Sequence, residues 1–396
     1  MRAVNRRSFL VGAGTAAAAA SAAGANDRIR LGIIGSGSRG QWLMGYVNEI
    51  GGTEWVAAAD VYGVRSEQAE KRAGKPITKY GDYRRVLDRG DVDAVIIAAP
   101  DHWHARMTID AARAGKDIFC EKPMTSSASQ GHAVVKTIAE TKRVVQIGTQ
   151  QRTIPAIREA KEKFFDTGMI GRVTMVHCYW NVNGGYIMPP IPAELQDKPE
   201  DLDWNAWLGA LPKIPWDPKR YIRPFLFWGP STGPTGNLLI HFLDIIHWCL
   251  GLERPVSALA AGGIYHFRDG RDVPDNFTAT LEYPEGVLVS YGCCVPDQAP
   301  KEGVDVIFMG TGGRLHVFRN GYRFIPPDPK APEITARGAD GPYHVKEWLE
   351  CIRSRKTPSA NVTEGHYLAA SCHLANDSYF RHERTFWQDA WNLDVV

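Results

Sequence analysis

Two stretches of this chain carry residues whose types and spacing suit chemistry. Gly35-Ser36-Gly37-Ser38-Arg39-Gly40 follows a buried apolar run and opens a helical pattern. In such a cradle the first glycines permit a tight turn and close backbone approach to a pyrophosphate. The third lets helix and strand pack closely, and the helix N-terminus supplies amide donors and positive dipole. Asp60 ends the next strand-like run, about 20 residues on, where a carboxylate accepts from a ribose diol and repels a 2′-phosphate. That favours NAD, while Arg39 and Arg65 keep NADP open. The second stretch runs from Asn237 to Trp248 and reads as a helix. At ~100° per residue, Asn237, His241 and Asp244 share one face. His247 lies about 120° from His241 and serves another environment. An imidazole with an ordinary pKa of about 6.5 suits proton transfer near neutrality.

Alternating strands and helices must position these groups. Strands are expected at Arg28 to Ile34, Glu54 to Ala59, Val92 to Ala99, Asp117 to Cys120 and Val144 to Gly148. Helices are expected at Gln41 to Ile50, Ala105 to Ala114 and Ser127 to Thr141. This is the α/β pattern of a doubly wound parallel sheet, a Rossmann domain over residues 26–150. The third strand delivers Pro100-Asp101-His102-Trp103-His104 to the crevice at its carboxyl end. The fourth delivers Glu121-Lys122-Pro123. After Gln151-Arg152 the pattern changes to a helix (Ile154 to Thr167) and alternating strands, at Val173 to Tyr179, Val256 to Tyr265, Phe277 to Tyr283, Val287 to Cys293, Asp305 to Gly310 and Gly313 to Phe318. These predict a second α/β domain, 151–396, with a mainly antiparallel sheet. An insertion at 181–236, rich in Pro, Gly and Trp, is too aromatic for disorder. Its tryptophans could stack on sugars, but packing within the domain is the better expectation. The helices at Tyr343 to Ser354 and Glu364 to Arg381 are assigned to packing.

Bulk composition narrows the classes. With 46 basic and 44 acidic residues, net +2, no polyanion partner is implied and nucleic acid is set aside. Seven cysteines include no C-x-x-C pair and form no disulfide framework. His102-x-His104 and His241-x₅-His247 lack zinc spacing, so no metal is expected. No G-x-S-x-G elbow supports a serine hydrolase. At the start, Asn5-Arg6-Arg7-Ser8-Phe9-Leu10, an apolar run from Val11 to Ala23 and the small residues Ala23-Gly24-Ala25 read as a twin-arginine leader over 1–25. The expectation is a periplasmic or extracytoplasmic protein that folds around its cofactor before export. No membrane span is expected to remain after cleavage, and the cofactor must recycle without leaving.

Taken together, Gly35-x-Gly37-x-x-Gly40, Asp60, Pro100-Asp101-x-x-His104, Glu121-Lys122-Pro123 and the Gly168-to-Val173 turn resemble the glucose–fructose oxidoreductase / inositol dehydrogenase / MocA family, in a twin-arginine-exported subgroup. The resemblance implies a Rossmann domain followed by an α/β domain with a large open sheet, and a tightly bound NAD or NADP. It implies that Lys122 reaches the reacting hydroxyl and that the following proline is often cis. Pro100, His104 and Glu121 would join the cradle in holding cofactor. The family's D-x-x-x-H-x-x-D pattern puts His241 at the substrate as base, with Asp244 beside it and Asn237 in place of the first aspartate. Trp103, Gln151 and Arg152 would line the substrate pocket. The implied activity is hydride transfer at a sugar or polyol hydroxyl carbon, in a homodimer or homotetramer. Two alternatives stay open: glycoside cleavage by transient oxidation, elimination and re-reduction, and a non-catalytic sugar-binding protein, which Asn237 motivates.

Overall fold

The computed structural model describes residues 28–181, 186–297 and 305–393. The expected leader lies outside them. Among the described residues the first sheet comprises β1 (Ile29–Ile34), β2 (Thr53–Ala59), β3 (Thr78–Tyr80), β4 (Ala94–Ile97), β5 (Asp117–Cys120) and β6 (Val145–Ile147). All pair in parallel, in the order β3-β2-β1-β4-β5-β6. The centre of the sheet is apolar on both faces; Ala94, Val95, Ile96 and Ile97 are fully buried. Such strands need covering on both sides, which α1 (Ser38–Ile50), α2 (Gly63–Ala73), α3 (Asp101–Arg113) and α4 (Ser129–Thr141) help to supply. Strand order reverses between β1 and β4, and the crevice above their carboxyl ends is where such sheets bind ligands. Asp101 to His104, expected just ahead of a helix, form the first turn of α3. Pro100 occupies the N-cap with φ −61°, and Asp101 supplies a carboxylate to the helix N-terminus.

The second sheet comprises β7 (Val173–Trp180), β8 (Ser257–Gly263), β9 (Asn276–Tyr283), β10 (Val287–Cys294), β11 (Asp305–Gly310), β12 (Gly313–Phe318), β13 (Gly321–Ile325), β14 (Ile334–Arg337) and β15 (Thr385–Phe386). Their order is β14-β13-β12-β11-β7-β10-β9-β8-β15. The alternation of β9, with Phe277, Ala279, Leu281 and Tyr283 buried, turns one face to the core. The pairing is antiparallel except between β7 and β10. Helix α5 (Ile240–Leu250) lies buried in this core.

Helices α6 (Tyr343–Ser354) and α7 (Val362–Arg381) do not stay within the second domain. Trp348 is fully buried against Phe119 of β5, ring centroids 5.7 Å apart, with Val345 and Leu349 beside it. Burying an indole of that size contributes roughly 4–6 kcal/mol before entropy. α7 sends Val362 into the Rossmann core and Leu368, Cys372 and Leu374 into the other. In the insertion, Trp204 and Trp207 stack at 4.6 Å and meet Trp216, Tyr221 and Tyr62. Trp228 packs on Phe380. These aromatics pack, as expected, but the cluster around Trp204 and Trp207 reaches beyond its own domain to Val61 and Tyr62 of the Rossmann domain. All seven cysteines are free thiols; Cys293 is buried and Cys294 half-buried on the other face of β10.

Candidate active site

The cradle follows from what a side chain would meet at each glycine. Gly35 has φ +81°, and a Cβ there would lie 2.7 Å from the Ala98 carbonyl oxygen. A Cβ on Gly40 would lie 2.3 Å from the Gly35 oxygen. Both positions require glycine for internal packing. Gly37 is different, because a Cβ there meets nothing within 4 Å, and no side chain caps the start of α1. Open space before an uncapped helix N-terminus fits a pyrophosphate. Ser38 is exposed in that first turn, while Ser36 is fully buried. Asp60 Oδ2 accepts from the Ser36 amide at 2.8 Å and from Ser36 Oγ at 3.3 Å, and Oδ1 accepts from the Tyr62 amide at 3.1 Å. Burial raises the Asp60 carboxyl, and these donors oppose the rise. Asp60, the residue just past β2, therefore braces the cradle. Arg39 points elsewhere: its Nε and Nη2 each lie 2.6 Å from Glu121 Oε1. That removes it as a partner for a 2′-phosphate at Asp60.

A cavity of about 300 Å³ opens beside the cradle. Arg39, Ala98, Ala99, Asp101, His104, Glu121, Lys122, Gln150, Trp180, Tyr186, Asn237, Leu238 and His241 line it. Lys122 stands just past β5, and its Nζ donates to the Asn237 carbonyl oxygen at 3.1 Å. Burial lowers its pKa, while the charges of Asp101 and Glu121 raise it. The Lys122–Pro123 peptide is cis. His241 is 8% exposed, and its Nδ1 has no hydrogen-bond partner. Burial, then the cations of Lys122, Arg319 and Arg39, push its pKa well below the usual value. The ring is thus held neutral near pH 7, in the form that takes a proton. The Trp180 ring lies 6.0 Å from it. A cationic donor and an unprotonated imidazole converge on one cavity, beside a dinucleotide cradle.

Several expected site residues stand elsewhere or act differently. Arg152 and Asp244 do not line the cavity; they form a fully buried ion pair, because two such charges can be desolvated only together. Gln151 is buried outside the cavity, since the 3₁₀ turn Gln150–Thr153 presents Gln150 instead. Trp103 does not line it either: its Nε1 donates to the Trp207 carbonyl at 2.9 Å, under the insertion. Pro100 serves as the N-cap of α3 and is not among the cavity-lining residues. His104 lines the cavity, but both its ring nitrogens meet backbone carbonyls, of Pro123 and Ala99, at 2.7 Å. It fastens β4's exit to the Lys122 loop. Asn237 lies in a π turn, Thr235–Leu239, with α5 starting only at Ile240. Its Nδ2 donates to Ser231 Oγ and the Gly233 carbonyl. Its amide nitrogen is therefore committed to its own loop, not to substrate or His241. His247 meets Tyr283 Oη at 2.7 Å, in another environment as expected.

Sequence reasoning missed Asp101, Gln150, Trp180 and Tyr186 at the cavity. Asp101 was legible as a site neighbour, being in the quoted turn. Its Oδ2 accepts from the Thr232 amide and hydroxyl, both at 2.9 Å, and pins the facing loop. Trp180 and Tyr186 flank the start of the insertion, where no local pattern distinguishes a cavity aromatic from a packing one.

A family model described as "Oxidoreductase family, NAD-binding Rossmann fold" (GFO/IDH/MocA) matches residues 29–149, and the model of the GFO/IDH/MocA C-terminal domain matches 213–316. Inositol 2-dehydrogenase 4 of Saccharopolyspora erythraea is 31% identical over 363 residues, covering 88% of this chain and 92% of that protein. The chain belongs to the GFO/IDH/MocA family. The NAD-binding Rossmann domain that defines the family is here the one built around Gly35–Gly40. Inositol 2-dehydrogenase 1 of the same organism is 30% identical over 152 residues, 38% of this chain, and the chain covers only 45% of that relative's length. Among solved structures, levoglucosan dehydrogenase in complex with NADH and levoglucosan superposes with a TM-score of 0.71 at 18% identity, covering 91% of this chain and 99% of that one. That is a likeness of fold.

Proposed function

We propose that this chain is an exported oxidoreductase that transfers a hydride between a sugar or polyol hydroxyl carbon and a tightly held NAD. The observation that carries the reading is the convergence of Lys122 and an unpartnered, neutral His241 on one cavity beside the glycine cradle. Relatives that act on inositol and a fold neighbour that holds levoglucosan support the substrate class. The twin-arginine pattern at Asn5 to Leu10 supports export to the periplasm. The reading includes a homodimer or homotetramer.

The residues divide the work. Backbone amides at the start of α1 hold the pyrophosphate, and Asp60 takes the ribose diol. Bound there, nicotinamide supplies the hydride acceptor. His241 removes the proton from the substrate hydroxyl, and Lys122 stabilises the negative charge that develops on that oxygen. Asp101 and Asn237 hold the facing loop in place through Thr232, Ser231 and Gly233. Trp180 and Tyr186 give the sugar an aromatic wall.

The test uses the exported protein with no added cofactor. Its absorbance reports bound NAD(H), and it is then offered levoglucosan, myo-inositol, D-glucose and nitrophenyl glycosides. Reduction of bound NAD by a free sugar supports the proposal. Release of nitrophenol with no net reduction would replace it by redox-neutral glycoside cleavage. Absence of both, with cofactor bound, would leave a sugar-binding protein.

A further inference from the structure

Lys122 belongs to the Rossmann domain and His241 to the second. If both are to meet one substrate oxygen, something must fix their separation. Two polar ties hold the His241 segment, one turn to either side of it: one reaches the Rossmann domain itself, the other the turn by which the chain leaves that domain's last strand. Four residues before it, the Asn237 carbonyl accepts from Lys122 Nζ at 3.1 Å. Three residues after it, Asp244 accepts from Arg152, which lies in the 3₁₀ turn just beyond β6. Arg152 Nε is 3.0 Å from both Asp244 oxygens and Nη2 is 2.6 Å from Oδ1. Arg152 Nη1 also donates to the Ser359 carbonyl at 2.6 Å, just ahead of α7. Asp244 is 0% exposed and Arg152 1%. A bidentate pair of this kind has directional geometry, and neither partner touches the cavity.

We propose that Arg152 and Asp244 are a positioning pair: they set the depth and rotation of α5 against the Rossmann sheet, and so place His241 opposite Lys122 for proton removal. The inference rests on the hydride-transfer reading of the site. It reassigns both residues from substrate contact to alignment. A buried ion pair contributes little net stability compared with apolar groups of similar size. Its directionality is what an apolar replacement lacks.

The test compares wild type with the double variant R152M/D244L and with D244E, which keeps the charges but adds a methylene. Substrates are levoglucosan, myo-inositol and D-glucose. Readouts are NADH affinity, melting temperature, kcat, KM and the primary deuterium effect at the reacting carbon. Both variants should bind NADH as wild type does, because the cradle is untouched. The double variant should melt near wild type. Displacement of His241 by about an ångström should lower kcat ~100-fold. KM should move by less than about threefold, because the mispositioning acts on the chemical step rather than on binding. The deuterium effect should rise as proton and hydride transfer become limiting. Folded, NADH-binding variants with kcat within about threefold of wild type would overturn the proposal. If the double variant does not fold, D244E alone decides by the same criterion. Wild-type turnover on one of the three sugars is the control. Its absence would count against the function itself, whereas its presence with unchanged variant kcat would count against the ion pair.

Discussion

Replacing Lys122 by Met removes the cavity's cationic donor and keeps most of its volume. A full charge about 3 Å from a developing alkoxide, at an effective dielectric of about 20, contributes about 5 kcal/mol of attraction. Part of this is already exerted on the ground-state hydroxyl, and removal of one preorganised donor from such a site costs ~10²–10³ in kcat. The expected loss in K122M is therefore about 10³-fold. NADH binding should persist, because the glycine cradle, Asp60 and α1 are untouched. A second signature follows from the electrostatics. The Lys122 cation is one of the charges that push the His241 imidazole down, so its removal raises the His241 pKa. A general base works only while unprotonated, so the acid limb of kcat/KM should move to higher pH. The assay is the single-turnover rate of reduction of the bound nicotinamide over a range of sugar concentrations and across a pH series, with NADH affinity measured separately. Turnover within about tenfold of wild type would refute the role of the ammonium. Lost turnover with an unmoved acid limb would refute its coupling to His241.

The glycine cradle gives a paired prediction. G37A should fold and melt like wild type, because its Cβ meets nothing within 4 Å, yet it should lose NADH affinity by filling the approach to the pyrophosphate. G40A should lose stability outright, because its Cβ would lie 2.3 Å from the Gly35 oxygen; melting curves and NADH titration separate the two. Stability should also fall on acidification. His247 and His344 are held neutral by burial down to about pH 3, and His373 to about pH 4. The unfolded chain binds these protons below about pH 6.5, so the stability is complete above that value and is lost as pH falls toward 4. Each histidine contributes at most about 1.4 kcal/mol per pH unit, about 4 together. Denaturant midpoints that stay flat from about pH 6.5 to 5 would contradict this. Finally, W348A should cost about 3–5 kcal/mol, read by denaturant unfolding. A smaller loss would show that α6 is not fastened to the Rossmann sheet by this ring.

The first domain was largely legible because its signals are local. Parallel strands buried on both faces read as unbroken apolar runs, and the glycines at 35, 37 and 40 each have a short-range reason. Strand β3 and the pairing order needed the structure. Lys122 and His241 were legible from motif and helical spacing, and the cavity brings them together. Asn237 and Asp244 were placed by helical periodicity, and Arg152 by the resemblance alone. Helical periodicity says which residues share a face, but not whether that face meets a cavity or a buried partner. The π turn at Thr235–Leu239 widens the spacing that the angle argument assumed. Arg152 and Asp244 stand 92 residues apart, and nothing in either neighbourhood announces the other. Gln150 and Gln151 differ by a single step of a 3₁₀ turn, which composition cannot resolve. The return of α6 and α7 to the first domain was invisible for the same reason: an amphipathic helix records that it is buried, not against what.

The account's central claim is that the Lys122–His241 cavity passes a hydride from a carbohydrate carbon to NAD held by the same chain. The most direct measurement mixes the NAD-loaded protein, in a single turnover, with a reactive sugar deuterated at its carbinol carbons, and follows both absorbance and label. The account predicts one equivalent of reduced nicotinamide per site, formed more slowly than from the protiated sugar, with deuterium at nicotinamide C4. Reaction of the sugar with no deuterium on the nicotinamide would contradict it.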